Sequence, residues 1–463
     1  MGKHSPDFVD EREIKPTATP DFFVLKVSRF ARGLFIAALL IYATYSLAPQ
    51  SGGVSVKSPP TSSSKPFTDL GTHCAAAQAI SPSEFVTRQN NLARVLHEQK
   101  AEAYIAEPGA NALFFGNISS EAWHLSERPL LLMVSPVLQG NEVSAKVTVL
   151  TPVFEETRAR LLVIPGVDVT YAAWPEDKDP YAVALRALPN FQGGIIYVDG
   201  MIRNFIVDGL QKAAPNVKAV SAPAEVRQLR ERKSPAEIEI LKCVNEVTLL
   251  AIRAVQSHMY IGIRESQVRE MMEDALAAAG LTTRFALVLF GENAALPHGE
   301  GTDRILGDSD FVLIDTGGAL YGYESDVTRT FMLRDSIIPA EHYTYWANVQ
   351  AAQSLAQATA RAGVVTAHVD AQARHLLELQ GLSRYFTHRL GHGIGLEGHE
   401  SPYLVGGSKD VIQTGHTFSN EPGIYIEGKV GVRLEDCFYI AEDGRAVYLT
   451  EGVGGQARGP LYP

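Results

Sequence analysis

The chain contains two blocks, residues 311–331 and 417–440, in which an apolar run ends in a carboxylate and a second carboxylate follows a glycine-containing turn. In the first block, Asp315 ends the run FVLID and Asp326 stands eleven residues later. On one continuous strand this odd separation would direct the two side chains to opposite faces. A turn at the intervening glycines lets a hairpin bring both carboxylates to one face. We therefore predict two hairpin-like halves that form an internal duplication.

The second block supplies Glu421 and Glu435 in matching positions. If the two halves face one another, four carboxylates converge on one place. Buried like charges repel and raise one another's pKa unless something positive lies between them. Divalent metal ions meet that need. The alternative, in which the four carboxylates separately face water or arginines, does not explain the matched layout.

A segment rich in histidine and glycine, FTHRLGHGIGLEGHESP, lies between the two blocks and places His388, His392 and His399 four and then seven residues apart. A spacing of four suits a helix, but the glycines disfavour one. They indicate a close backbone approach to a site instead. Imidazole among oxygen ligands favours manganese, cobalt, zinc or iron over calcium.

The charges of this set indicate hydrolytic chemistry. Four carboxylates balance two divalent ions, and two ions about 3.5 to 4 Å apart can share a water, lower its pKa and polarise a carbonyl group. Such a reaction also needs groups that stabilise an oxyanion and move protons. The candidates for these roles are His298, His399 and Arg433.

The amino-terminal part indicates a membrane anchor. Residues 1–32 form a polar tail, residues 33–48 an uncharged apolar run, and residues 49–80 a segment that begins with a Ser/Pro/Gly-rich stretch typical of a stalk. As a helix the apolar run would span about 24 Å, a marginal length for a hydrocarbon core of about 30 Å. We expect an uncleaved signal anchor, a membrane-attached chain and a lumenal or extracellular catalytic domain, in which Asn117 of Asn-Ile-Ser is a candidate glycan acceptor. Secretion after signal cleavage and a buried core helix are the alternatives.

Two domains are expected beyond the stalk. Residues 81–228 alternate helical stretches with apolar runs of strand length, one of them LLVIP at 161–165, which is typical of an α/β domain. This region lacks a concentrated set of His, Asp and Glu, so we assign it a supporting or dimerising role and expect a homodimer. Residues 229–463 open with a helix that Ser234 caps and Pro235 begins, and their mixture of helices and strands indicates an α+β domain.

Composition excludes several classes of protein. With 46% hydrophobic and 20% charged residues the chain is ordinary globular protein. A net charge of -11 argues against nucleic acid as a partner. Cys74, Cys243 and Cys437 lie too far apart for a thiolate zinc site. At most one disulfide bridge is available to them, and we expect buried or unpaired thiols.

The motifs LIDTGG, GHGIGLEGHE, EPGIY and GVRLED resemble the metallopeptidase family that includes methionine aminopeptidase, proline aminopeptidase and prolidase. KSPAEIEIL and the leading α/β domain are similar to the proline-specific branch, which creatinase shares. The resemblance implies a pita-bread α+β catalytic fold with pseudo-twofold halves behind a creatinase-type domain. It also implies five metal ligands, with Asp326 and Glu435 bridging two ions: Asp315, Asp326, His392, Glu421 and Glu435.

The resemblance further implies that His298, His388 and His399 contact substrate and that Arg433 stands beside a bridging glutamate. The expected reaction is hydrolysis of the bond between an amino-terminal residue and proline, in dipeptides or in longer peptides, by a hydroxide that bridges the ions. Manganese is the first expectation for the metal, with cobalt or zinc as alternatives. Two other functions stay open: hydrolysis of a non-peptide amide such as creatine, and peptide binding without catalysis.

Overall fold

The computed structural model describes residues 67–463. The predicted polar tail (1–32), the predicted anchor (33–48) and most of the predicted stalk lie outside the described residues. Within residues 67–463, no helix combines the length and the apolar character needed to cross a membrane.

The described residues form ten α-helices and seventeen strands. The helices are α1 (Pro82–Glu98), α2 (Ala110–Gly116), α3 (Glu156–Arg160), α4 (Pro180–Ala187), α5 (Asn204–Ala213), α6 (Ala224–Glu231), α7 (Pro235–Gln256), α8 (Glu265–Ala278), α9 (Ala340–Thr359) and α10 (Thr366–Glu378). The first nine strands are β1 (Ala101–Ala106), β2 (Leu131–Gln139), β3 (Glu142–Pro152), β4 (Thr170–Trp174), β5 (Ile195–Val198), β6 (Lys218–Ser221), β7 (Thr282–Phe290), β8 (Val312–Leu320) and β9 (Tyr323–Glu324). The remaining strands are β10 (Val327–Phe331), β11 (Gly391–Gly393), β12 (Glu400–Leu404), β13 (Thr417–Asn420), β14 (Gly423–Ile426), β15 (Val430–Arg433), β16 (Asp436–Ile440) and β17 (Ala446–Tyr448).

The first six strands form one mixed sheet in the order β4-β3-β2-β1-β5-β6, with helices on both faces. The alternation of side chains along a strand explains the two apolar layers. On β1, Ile105 packs in the cluster that contains Ile206 of α5, whereas Tyr104 packs in the cluster that contains Leu96 of α1. The predicted α/β character of this region is therefore confirmed.

The prediction of a strand at residues 161–165 is wrong. This run follows α3 as a turn and irregular backbone. Two of its backbone carbonyls accept hydrogen bonds from side chains that are distant in the sequence. Asn117 Nδ2 donates to the Val163 carbonyl at 2.9 Å, and Gln89 Nε2 donates to the Pro165 carbonyl at 2.6 Å. Because these partners satisfy the carbonyls, the run needs no neighbouring strand.

Helix α7 begins as its sequence predicts. The Ser234 hydroxyl accepts a hydrogen bond from the Glu237 amide at 3.3 Å, and the Glu237 carboxylate accepts one from the Ser234 amide at 2.8 Å. Pro235 occupies the first turn, where its missing N–H costs nothing. The domain boundary predicted between residues 228 and 229 falls within α6.

The remaining residues contain the predicted internal duplication. The first half consists of α7, α8 and the sheet β10-β8-β7, and the second consists of α9, α10 and a sheet whose core order is β16-β13-β11. Each half therefore has two helices followed by three antiparallel strands that are joined in the same order. The two sheets meet where the Glu435 amide donates to the Thr328 carbonyl at 3.0 Å. This pseudo-twofold arrangement brings the two carboxylate blocks together.

The cysteines differ from the expectation of unpaired thiols. Cys74 and Cys243 form a disulfide with a Cα–Cα distance of 5.7 Å, whereas Cys437 is free and buried. Residues 67–80, which the sequence assigns to the stalk, are therefore bonded to α7. Leu70 in this segment is buried in the apolar cluster of the first catalytic half. The segment is part of the folded unit because it covers apolar surface there.

Candidate active site

The first pair of predicted ligands, Asp315 and Asp326, lies where strands β8 and β10 begin to pair. Asp315 is on β8, opposite Thr328 of β10, and Asp326 directly precedes β10. The turn through β9 returns the chain antiparallel to β8, as the glycines between the two acidic residues predict. Oxygen atoms of Asp315, Asp326 and Glu435 lie within 4.8 Å of one another. The hairpin thus brings both carboxylates of the first block to one face.

The second half completes the cluster. Glu421 directly follows β13, Glu435 directly precedes β16, and His392 is the middle residue of β11. His392 Nε2 lies 3.4 Å from Glu421 Oε1 and 3.7 Å from Asp326 Oδ2. A second group with ligand atoms within 4.8 Å of one another consists of His392, Glu421 and Glu435. The five predicted ligands are therefore brought together.

Local backbone contacts fix the orientation of His392. Its Nδ1 lies 3.0 Å from the Gly393 carbonyl, so Nδ1–H donates there and the Nε2 lone pair faces the carboxylates. Burial lowers the pKa of His392 to about 3, which keeps the imidazole neutral and able to bind a metal. A Cβ atom at Gly391 would lie 2.1 Å from the Ser419 carbonyl, so the close backbone approach predicted from the glycines is confirmed.

Burial makes the carboxylates of the cluster costly to ionise. Burial raises the pKa of Asp326 and of Glu435 well above the usual range, with repulsion from neighbouring carboxylates adding to it. Burial also raises the pKa of Glu421 to about 8. Asp315 Oδ1 and Glu435 Oε1 are buried without a hydrogen-bond partner. Buried carboxylate oxygens without a donor are costly, so this donor set fits divalent cations.

Arg433 holds one edge of the cluster. Its guanidinium donates to Asp315 Oδ2 at 2.7 Å, to the Tyr425 hydroxyl at 3.0 Å and to the Thr328 hydroxyl at 3.2 Å. The Thr328 hydroxyl in turn donates to Glu435 Oε2 at 2.8 Å. Arg433 is therefore committed to residues of the site and fixes the orientation of Asp315.

Tyr425 and Thr328 are site residues that sequence reasoning missed. The Tyr425 hydroxyl lies 2.8 Å from His388 Nε2, and His388 Nδ1 lies 2.7 Å from the Arg389 carbonyl. Burial raises the pKa of Tyr425 to about 12 and lowers that of His388 to about 4, so a neutral phenol donates to a neutral imidazole. Their positions in the sequence could have identified both residues, because Tyr425 ends the EPGIY motif and Thr328 follows Asp326 by two residues.

All nine predicted site residues line one cleft of about 560 Å³, together with two residues that were not predicted. His298 and His399 are exposed at this cleft, and the His399 ring centroid lies 4.2 Å from that of His392. The lining residues are Pro297, His298, Asp315, Asp326, His388, Arg389, His392, His399, Glu421, Arg433 and Glu435.

This fold and site define a metallopeptidase of pita-bread architecture. The chain belongs to metallopeptidase family M24, whose model matches residues 239–442. It is 39% identical over 372 residues to an uncharacterized peptidase of Schizosaccharomyces pombe, a match that covers 79% of this chain and 81% of that protein. The family resemblance and the pita-bread fold inferred from the motifs are thus confirmed.

Solved structures show the same fold. The dipeptidase PepE from Mycobacterium ulcerans is 29% identical, with a TM-score of 0.72 over 80% of this chain and 97% of that one. The prolidase from Pyrococcus horikoshii is 25% identical, with a TM-score of 0.67 over 79% of this chain and 98% of that one. The similarity therefore extends over almost the full length of both enzymes.

Proposed function

We propose that this chain is a peptidase with two metal ions that hydrolyses the bond between an amino-terminal residue and proline. The observation that carries the proposal is the complete set of five ligands around one cleft, with buried carboxylate oxygens that lack hydrogen-bond donors. The similarity to structures described as a dipeptidase and a prolidase supports the choice of substrate.

The arrangement of ligand groups supports two ions over one. Three groups have ligand atoms within 4.8 Å of one another, and His392 belongs to two of them. Among the carboxylates, Asp326 and Glu435 each belong to two groups, whereas Asp315 and Glu421 each belong to one. Shared carboxylates are what a pair of adjacent cations requires. Bound divalent ions lower the pKa of water and polarise a carbonyl group. The mixture of carboxylate and imidazole suits manganese first, with cobalt or zinc as alternatives.

The chain's own residues supply positioning and proton transfer. Partial loss of solvent at the cleft and the nearby Arg389 lower the pKa of His399 below its usual value, so its neutral imidazole can take up a proton or hydrogen-bond to a developing oxyanion. His298 lines the same cleft. Because Arg433 is committed to Asp315, Tyr425 and Thr328, we assign it to positioning the ligands. We assign direct contact with substrate to His298 and His399.

The test is an assay of the full-length protein on Xaa-Pro dipeptides and Xaa-Pro-Xaa tripeptides, with Xaa-Ala peptides as controls and manganese, cobalt or zinc added. We expect metal-dependent cleavage of the proline substrates. Asp326→Asn should abolish turnover, whereas Asp443→Asn, on an exposed turn, should retain it. A folded, metal-loaded protein that is inert on every Xaa-Pro peptide would contradict the proposal. A protein that binds these peptides without cleaving them would favour the binding alternative, and one that binds no metal would favour the creatinase-like alternative.

We further propose that residues 67–463 face an oxidising compartment, lumenal or extracellular. The disulfide between Cys74 and Cys243 supports this, because such bonds persist mainly outside the cytosol. The exposed side chain of Asn117 is compatible with a glycan. Endoglycosidase treatment of protein from a eukaryotic secretory host should raise its gel mobility, and Asn117→Gln should remove that change. Complete digestion of the peptidase by a protease added outside intact microsomes would refute the proposed location.

A further inference from the structure

The loop that carries His399 is held on both sides by cationic side chains. His399 is exposed at the cleft, whereas Glu400, the next residue, is buried. Lys233 donates a hydrogen bond to the carboxylate of Glu400. Arg230 donates one to the carboxylate of Glu397, two residues before His399. An ion pair therefore fixes the loop on each side of the histidine.

Both cations come from one short segment, residues 230–233, which we call the linker. It comprises the end of α6 in the first domain and the two residues that follow, shortly before α7 of the catalytic region. The linker makes a third contact with the loop, because the Ser401 hydroxyl donates to Glu231 Oε1 at 2.6 Å. The three contacts thus bracket His399 in the sequence.

The pair of Lys233 and Glu400 is built into the interior. The two side chains are 1% and 2% exposed. Lys233 Nζ also donates to two backbone carbonyls of the linker, at 3.1 and 3.3 Å. A Cβ atom at Gly395 would lie 2.8 Å from Lys233 Cε and 2.9 Å from Glu400 Oε1, so the glycine leaves the room that the pair occupies. Because a buried ion pair is costly to break, this contact holds the residue beside His399 firmly in place.

The ring of His399 has no comparable restraint of its own. Among residues 67–463, no hydrogen bond or ion pair involves its nitrogen atoms. The ring packs edge-on against that of His392, with the centroids 4.2 Å apart. The position of this imidazole in the cleft therefore depends on how its loop is held. A displacement of about 1 Å in an active site can cost a factor of about 100 in rate.

We propose that the linker positions His399 for the reaction and makes turnover depend on the docked first domain. This inference rests on the proposed function, in which His399 contacts the substrate. The linker and its three partners on the loop do not line the cleft, so they are positioning residues. The first domain, to which the sequence assigns a supporting role, thereby takes part in the reaction through the end of α6.

The test measures kcat and KM of full-length, metal-loaded variants on an Xaa-Pro dipeptide. Glu397→Ala removes one contact, and Arg230 keeps Glu400 Oε2 at 3.5 Å, so no buried cation is left alone. We expect kcat to fall by about tenfold with KM and metal content near wild type, because a displaced group weakens interactions made in the transition state. Glu397→Gln retains an oxygen acceptor for Arg230 and should restore most of kcat.

Ser401→Ala provides a second and milder variant. Glu231 loses the serine hydroxyl but keeps its hydrogen bond from Arg227 at 2.9 Å, so the fold should tolerate the change. This variant should also lower kcat while KM and metal content stay near wild type.

A double-mutant cycle with His399→Gln separates positioning from a general structural role. Because the linker acts through His399, Glu397→Ala should change kcat by less than about twofold once the imidazole is absent. Glu239→Ala is the matched control, since it removes the carboxylate from an exposed ion pair with Lys242 on α7. It should leave kcat unchanged in both backgrounds.

A folded Glu397→Ala or Ser401→Ala variant with wild-type kcat, or an equal loss of kcat with and without the imidazole, would overturn the role of the linker while the proposed function stands. Inertness of the wild type on every Xaa-Pro peptide would overturn the proposed function and this inference with it.

Discussion

Removal of the metal should make the stability of this protein fall as pH rises. In the metal-free fold, burial raises the pKa of Glu421 from 4.5 to about 8 and also raises those of Asp326 and Glu435. At pH values between 4.5 and about 8, Glu421 keeps its proton in the folded state and has released it in the unfolded state. The free energy of unfolding then decreases with pH across this window and levels off above it.

Glu421 alone sets the scale of this effect. Each pH unit within the window corresponds to about 1.4 kcal/mol, so a change from about pH 5.5 to about pH 8 costs about 3 kcal/mol. With an unfolding entropy of about 2 cal/mol/K per residue, this lowers the melting temperature of a fold of this size by about 4 °C. Bound divalent ions neutralise the same carboxylates, so the metal-loaded protein should lack this decline.

Thermal melts at the two pH values, with a chelator or with manganese, test this reasoning. We expect the stabilisation by metal to be larger at the higher pH. Glu435→Gln replaces a buried carboxyl, which the metal-free fold must protonate, with a neutral amide of nearly the same volume. This variant should therefore be more stable than the metal-free wild type at about pH 8 and should respond less to manganese. Glu442→Gln, at an exposed position, should behave as wild type. A metal-free melting temperature that does not change with pH would refute the reasoning.

Three further outcomes follow from single contacts. Tyr425→Phe should lower kcat about tenfold with unchanged metal content, because it removes the hydroxyl between His388 and Arg433; steady-state kinetics and metal analysis check this. His399→Gln should lower kcat by about 100-fold without loss of metal, and a near-wild-type rate would exclude a role in proton transfer. Cys243→Ser should destabilise the protein by about 3 to 5 kcal/mol, because the disulfide closes a loop of 169 residues. Denaturant unfolding measures this, and reductant should affect the wild type alone.

The catalytic region, residues 229–463, was predictable because its sequence signals are local. Asp315 at the end of an apolar run and the glycines after it specify a strand and a turn within a dozen residues. The same holds for the second block, and for Ser234, whose cap bonds lie within three residues. Since each signal is complete in a short window, the two blocks could be compared and their duplication recognised. Matching positions in the two blocks then indicated the four carboxylates, and the family resemblance selected His392 as the fifth ligand.

The errors occur where the deciding contact is distant in sequence. The run at 161–165 is as apolar as a strand, yet Gln89 and Asn117 satisfy its carbonyls from 76 and 46 residues away. Leu161 and Val163 in this run are each 77% exposed, which apolarity alone does not reveal. The pairing of Cys74 with Cys243 spans 169 residues and depends on the packing of residues 67–80 against α7.

Hydroxyl groups on β10 connect the two halves beside the site. Thr328 and Thr330 belong to the first half, yet the Thr328 hydroxyl donates to Glu435 Oε2 and the Thr330 hydroxyl donates to the Arg433 carbonyl at 2.8 Å. Arg433 of the second half returns a bond to Asp315 of the first. Each half therefore contributes only part of the ligand set and depends on the other to orient it. Because a preformed site requires both halves to be docked, metal binding and the association of the halves must stabilise one another.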